Sequence, residues 1–168
     1  MTEEAKVKIL TSEFQSPTLG VLSLEHIILN ITEYIRSKPE FKYKIIIGTD
    51  SEGKNGRVAD FVTAIIVHRV GAGGVYFWKR SLSSIFHTLR DRIYQEALLS
   101  IDFAQNLLEV VKSEEILACG LEIHLDVGRV GETREIINEV VGVIRGSGFE
   151  VKTKPESFGA SKIADRHT

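Results

Sequence analysis

The chain has one cysteine and no long apolar run, and each scarcity excludes something. A single Cys119 rules out an intrachain disulfide. Set in Leu-Ala-Cys-Gly, with no basic partner near it, that thiol reads as buried and inert rather than nucleophilic. No stretch approaches the roughly 18 apolar residues that cross a bilayer, so no membrane segment is expected. The opening Met-Thr-Glu-Glu-Ala-Lys lacks the basic start and apolar core of a secretion signal, and the cytoplasm is the expected location. Surplus positive charge is missing too. Lys and Arg number 21 against 23 Asp and Glu, a net −2, which leaves any attraction to a polyanion to local groups. There are no internal repeats or low-complexity segments. The 43% hydrophobic content over 168 residues is enough to build one full core, so residues 1–168 are expected to form a single domain.

What is present is organised by Lys44–Ser51, Lys-Ile-Ile-Ile-Gly-Thr-Asp-Ser. Three consecutive β-branched apolar residues predict a strand buried on both faces, hence a central one. With a period of two, Asp50 shares a face with Gly48 and Ile46. Leu121–Gly128, Leu-Glu-Ile-His-Leu-Asp-Val-Gly, repeats the design and ends in Asp126. Either aspartate alone reads as a strand-end cap or turn former. Together, with an acid on the intervening helix, they suggest a divalent-metal site.

The remaining elements follow from periodicity. Val7–Phe14 suggests a short edge strand and Ser16–Gly20 a turn. Ser23 caps a helix to about Ser37 whose stripe is Leu24, Ile27, Ile28, Ile31, Tyr34 and Ile35. A polar loop, Glu52–Ala59, leads to a strand at Asp60–Val70, a glycine turn at Gly71–Gly74 and a strand at Val75–Ser81. From about Leu82 to Val111 the apolar spacing predicts one long helix, with Glu96 beside its stripe. A turn at Lys112–Gly120 enters the second aspartate strand. Then come a helix at Thr133–Arg145, a short strand at Phe149–Lys154 and a short helix in the tail Ser157–Thr168. The order predicts an α/β fold: a mixed five-stranded sheet, three antiparallel strands then two parallel, with helices on both faces. An additional N-terminal helix lies within an extension over residues 1–40. The crossover rule sets the Asp126 strand parallel to the Asp50 strand and beside it.

This order of elements and acids resembles the ribonuclease H-like fold, and more closely the bacterial YkuK-type ribonuclease H-like proteins. The likeness rests on Tyr43–Ser51, on Phe61–Val70 ending Val-His-Arg-Val, on His124-Leu-Asp-Val-Gly128 and on Gly131-Glu-Thr-Arg134. It extends to Lys152–Pro155, to Ala160–Arg166 and to the Ser-Pro-Thr-Leu-Gly segment. The resemblance implies that the superfamily's four acidic positions fall on Asp50, Glu96, Asp126 and Asp165, with Asp91 and Asp102 as competitors for Glu96.

Clustered carboxylates cannot all stay ionised without a counter-charge, and hard oxygen donors select Mg²⁺ or Mn²⁺. Two such ions about 4 Å apart activate a water and stabilise a leaving oxygen in phosphodiester hydrolysis. The expectation is therefore a divalent-metal-dependent nuclease acting on RNA, DNA or a hybrid. In it Asp50, Glu96, Asp126 and Asp165 are the catalytic and metal-binding residues. Arg129, Arg134, Lys162 and Arg166 are candidates to hold phosphates, against the alternative of solvated surface charges. Ser51 and His124 are auxiliary, His124 reading also as a packed, hydrogen-bonded core histidine. Tyr76, Phe77 and Trp78 are candidates to stack on bases, although their alternation puts at least one in the core. The rival reading is a non-catalytic binding module that retains the fold. A third, an actin-like nucleotide-binding relative suggested by Asp126-Val-Gly128, needs two large lobes where 168 residues supply one.

Overall fold

In a computed structural model, the chain is described over residues 1–54, 58–85, 88–128 and 134–157. The elements in order are α1 (Glu3–Leu10), β1 (Glu13–Ser16), β2 (Gly20–Ser23), α2 (Leu24–Arg36), β3 (Tyr43–Lys54) and β4 (Val58–Arg69). They continue with β5 (Gly74–Ile85), α3 (Leu89–Val110), α4 (Glu114–Leu117), β6 (Gly120–His124), α5 (Arg134–Gly146) and β7 (Glu150–Lys152). One mixed sheet runs β2-β1-β5-β4-β3-β6-β7. Its centre is the isoleucine strand: β3 is antiparallel to β4 on one side and parallel to β6 on the other. Ile45, Ile46 and Ile47 are all buried, as a strand covered on both faces requires.

The sheet has seven strands, not five. The additional pair, β1 and β2, is an antiparallel hairpin joined to β5 through Gln15 opposite Trp78. Val7 lies not in a strand but in α1, where Thr2 accepts a hydrogen bond from the Ala5 N–H at 3.2 Å. Within the hairpin strands only Phe14 is fully buried, so the pair carries almost no alternating apolar signal. A second correction concerns the long helix. β5 continues through Leu82 to Ile85, paired with β4 as far as Val58 opposite Ile85. The helix starts only at Leu89, where Thr88 and Asp91 form a reciprocal capping box. The polar loop is also shorter than expected, since β3 and β4 stay paired out to Lys54 and Val58. In the turn between β4 and β5, Gly73 has φ +82°, and a Cβ on Gly74 would lie 2.6 Å from the Val67 carbonyl oxygen, so both positions demand glycine.

Helices α2, α3 and α5 bury their apolar stripes in one cluster with Phe14, Ile45, Ile47, Ile65, Val67, Phe77 and Ile123. These strand residues all point to one face, so among the described residues the principal helices share that face, not both. On the opposite face Ile46, Ile66 and Tyr76 form a separate cluster. The tail helix expected at Ser157–Thr168 lies outside the described residues beyond Ser157. Ser23 caps α2 as its sequence indicates. No helix among the described residues is long and apolar enough to cross a membrane.

Candidate carboxylate site

The parallel ladder between β3 and β6 runs from Lys44 opposite Gly120 to Ile47 opposite Ile123. Three residues further along each chain stand Asp50 and Asp126. Here the two strands part. β3 continues beside β4 to Lys54, whereas the chain after His124 stays with β7. Leu125 N–H donates to the Lys152 carbonyl at 2.9 Å, and Lys154 N–H to the Val127 carbonyl at 3.1 Å. Both aspartates are half-buried at this fork.

Glu96 reaches the same fork from α3, which packs over β3. Ser51 Oγ donates to Glu96 Oε1 at 2.6 Å, tying the helix carboxylate to the residue after Asp50. Of the acids on α3 it is the buried one, 7% exposed. Asp91 is spent on the capping box and Asp102 is exposed. Burial pushes the Glu96 carboxyl up to about 7. Asp126's charge adds to the push, while the Ser51 bond and Arg92's charge oppose it. Beneath it lies a buried hydroxyl chain. Ser100 Oγ is 2.9 Å from the Glu96 carbonyl and 3.0 Å from Thr49 Oγ1, which is 2.9 Å from Thr63 Oγ1.

Lys154 Nζ lies 2.6 Å from Asp126 Oδ1, an ion pair by distance without hydrogen-bond geometry. His124, on the strand leading to Asp126, is buried with Nε2 3.1 Å from Glu122 Oε2. Lys44 Nζ bonds the other Glu122 oxygen at 2.5 Å. Burial lowers the His124 pKa against the pull of Glu122, so the ring is neutral, packed and hydrogen-bonded. Arg134 is exposed in the first turn of α5. Arg129, Lys162, Asp165 and Arg166 lie outside the described residues.

The family follows from comparison with known proteins. A model of the family described as Ribonuclease H-like matches residues 26–168. The chain belongs to the ribonuclease H-like family. It is also 28% identical over 158 residues to a Bacillus subtilis (strain 168) protein named "Uncharacterized protein YkuK", a match covering 88% of this chain and 91% of that one. No solved structure matches.

In this ribonuclease H-like chain the donors at the fork suit a hard divalent cation. They are carboxylate oxygens, one held back from ionising by burial and a like charge, and another that has drawn in an ammonium. Among the described residues, no group of three or more His, Cys, Asp or Glu side chains is gathered to hold a metal ion. The four-acid set expected from the sequence is therefore not assembled by the described residues alone. Sequence reasoning passed over Arg92, Lys154 and the hydroxyls of Thr49, Thr63 and Ser100. Arg92 and Ser100 each stand four residues from Glu96, a helical-neighbour spacing that was available as a signal. Lys154 reaches Asp126 only through the pairing of β6 with β7, which no local spacing reveals.

Proposed function

We propose that this ribonuclease H-like protein is a divalent-metal-dependent nuclease, one domain over residues 1–168, that hydrolyses phosphodiester bonds in RNA, DNA or a hybrid. The observation that carries the reading is Glu96, a buried carboxyl on α3 bonded to Ser51, the residue after Asp50, and near enough to Asp126 for that charge to act on it. Asp50, Glu96, Asp126 and Asp165 are the residues that would hold Mg²⁺ or Mn²⁺. When bound, the metal supplies an activated water and charge stabilisation at the phosphate.

The chain's own residues do the positioning. Ser51 fixes the rotamer of Glu96 through a short hydrogen bond. Ser100 and Thr49 join the helix turn that carries Glu96 to the strand that carries Asp50. A rigid helix and a central strand locate the carboxylates more closely than loops would. Lys154 neutralises Asp126 while no stronger cation is present.

The test is direct. Purified protein is incubated with end-labelled single-stranded RNA, single-stranded DNA and an RNA–DNA hybrid, each with Mg²⁺, Mn²⁺ or chelator. Cleavage of at least one substrate is expected with metal and not with chelator, and Asp50→Asn or Asp126→Asn should reduce it by more than 100-fold. Binding without cleavage under every condition would favour the non-catalytic module.

A further inference from the structure

The fork is acidic and the whole chain is −2, so a polyanion gains nothing from long-range charge and depends on cations placed at the site itself. Two such cations flank the described carboxylates, and they come from different elements. Lys154, two residues past β7, pairs with Asp126 at 2.6 Å while its side chain remains 54% exposed. Arg92 precedes Glu96 by one turn of α3, close enough for its charge to act on that carboxyl.

Arg92 is incompletely satisfied. Among the described residues its Nε is buried with no hydrogen-bond acceptor. A buried donor left without an acceptor costs about 1–3 kcal/mol, so native chains rarely keep one without a reason. A guanidinium presents several donors in a planar fork that matches phosphate oxygens, and it stays charged when partly buried. Lys154 supplies a compact, mobile charge on the β7 side. Arg92 and Asp126 both act on Glu96, and Lys154 lies against Asp126, so the two cations belong to one linked set of charges.

We propose that Arg92 and Lys154 hold a phosphate group of the nucleic-acid backbone at the fork, Arg92 from the α3 side and Lys154 from the β7 side. The assignment rests on the nuclease reading for its choice of ligand. It makes both side chains substrate-binding residues, each bonded to non-bridging phosphate oxygens. Phosphate contact of this kind carries no base preference, so both residues should act alike on RNA and DNA.

The experiment measures binding rather than turnover. Fluorescence anisotropy of a labelled single-stranded RNA, a single-stranded DNA and an RNA–DNA hybrid is followed in Ca²⁺ across a potassium chloride series. Arg92→Gln and Lys154→Met are each expected to weaken binding by about 5- to 30-fold and to reduce the salt slope by about one. Arg92→Lys should keep the slope and recover only part of the affinity, because it restores charge without the planar fork. Should Lys154→Met melt early from loss of its Asp126 pair, Lys154→Met with Asp126→Asn is compared with Asp126→Asn alone. Wild-type affinity and slope in the Arg92 and Lys154 variants would overturn the assignment, as would a wild-type protein that binds none of the three probes. Binding that needs both cations without any metal-dependent cleavage would sink the nuclease reading and leave this assignment standing. Cleavage by the wild type with unchanged binding by the variants would do the reverse.

Discussion

Glu96 and Glu122 are buried to the same degree, 7% and 5% exposed, yet their acidities move in opposite directions. Burial raises Glu96 to about 7, because the groups opposing it are one hydroxyl and an arginine that makes no ion pair with it among the described residues. Burial would raise Glu122 as well, but the bonds from Lys44 and His124 outweigh it and hold that carboxyl below its ordinary value. One buried acid has been given its counter-charges by the fold and the other has not. Desolvation therefore does not decide what a buried carboxylate is for; its partners do. Glu122 is a completed internal ion pair, while Glu96 has no paired cation among the described residues.

The largest effect should come from breaking the completed pair. Glu122→Ala leaves His124 and the inner end of Lys44 without their anion. It is expected to destabilise the protein by about 3 kcal/mol, less than a fully buried pair because Lys44 is half exposed. Chemical denaturation at pH 7 measures it, and a loss below about 1 kcal/mol would mean that the pair with Lys44 adds little net stability. The same cluster sets an acid limit. Glu122 titrates below its unfolded value, so its stabilisation is present above that value and disappears as pH falls through the lowered one. Neutral His124 adds to the loss below about 6.5.

Glu96 carries the opposite sign. Its folded pKa lies above the unfolded one, so the folded state holds the additional proton between about 4.5 and 7 and stability declines as pH rises through that window. The full displacement corresponds to about 3 kcal/mol as an upper bound. Glu96→Gln keeps an acceptor for Ser51 and cannot ionise. In chelator it should raise the melting temperature at pH 8 and leave it nearly unchanged at pH 5. Equal melting shifts at both pH values would mean that Glu96 is not desolvated in solution.

The smallest effect sharpens the comparison. Ser51→Ala removes the one neutral bond that favours ionised Glu96, so the half-protonation point should move above that of the wild type, with about 1 kcal/mol of stability lost. Carbon-detected NMR of the glutamate carboxyls follows it directly. An unmoved titration would show that Ser51 positions Glu96 without tuning it.

Much of this is legible in the sequence. Three isoleucines in a row announce a doubly covered strand, and the crossover rule sets Asp126's strand beside it. Ser23 marks the start of α2. The hairpin of β1 and β2 was not legible, because two four-residue strands with Phe14 as their single fully buried side chain have no period to read. The junction of β5 and α3 was misread because Leu82 fits an apolar stripe as well as it fits a ladder. The pairing of Ser84 and Ile85 with β4, beyond a register shift, decides in favour of the strand. The cations beside the acids were missed for a different reason. Arg92 and Lys154 have ordinary spacings, and what distinguishes them is which carboxyl stands across from them.

The hydroxyl chain under Glu96 has a consequence of its own. Ser100 has one proton and two acceptors in reach, the Glu96 carbonyl and Thr49 Oγ1, and Thr49 can either donate to Thr63 or accept from it. The three buried hydroxyls therefore admit more than one ordering of their protons over the same heavy atoms. Rotating O–H bonds rather than moving side chains lets this small dipole reorient when the carboxyl above it gains or loses charge. The interior beneath Glu96 is thus locally polarisable without being loose. A core without such rotors would resist a change of charge on that carboxyl, and this one can follow it.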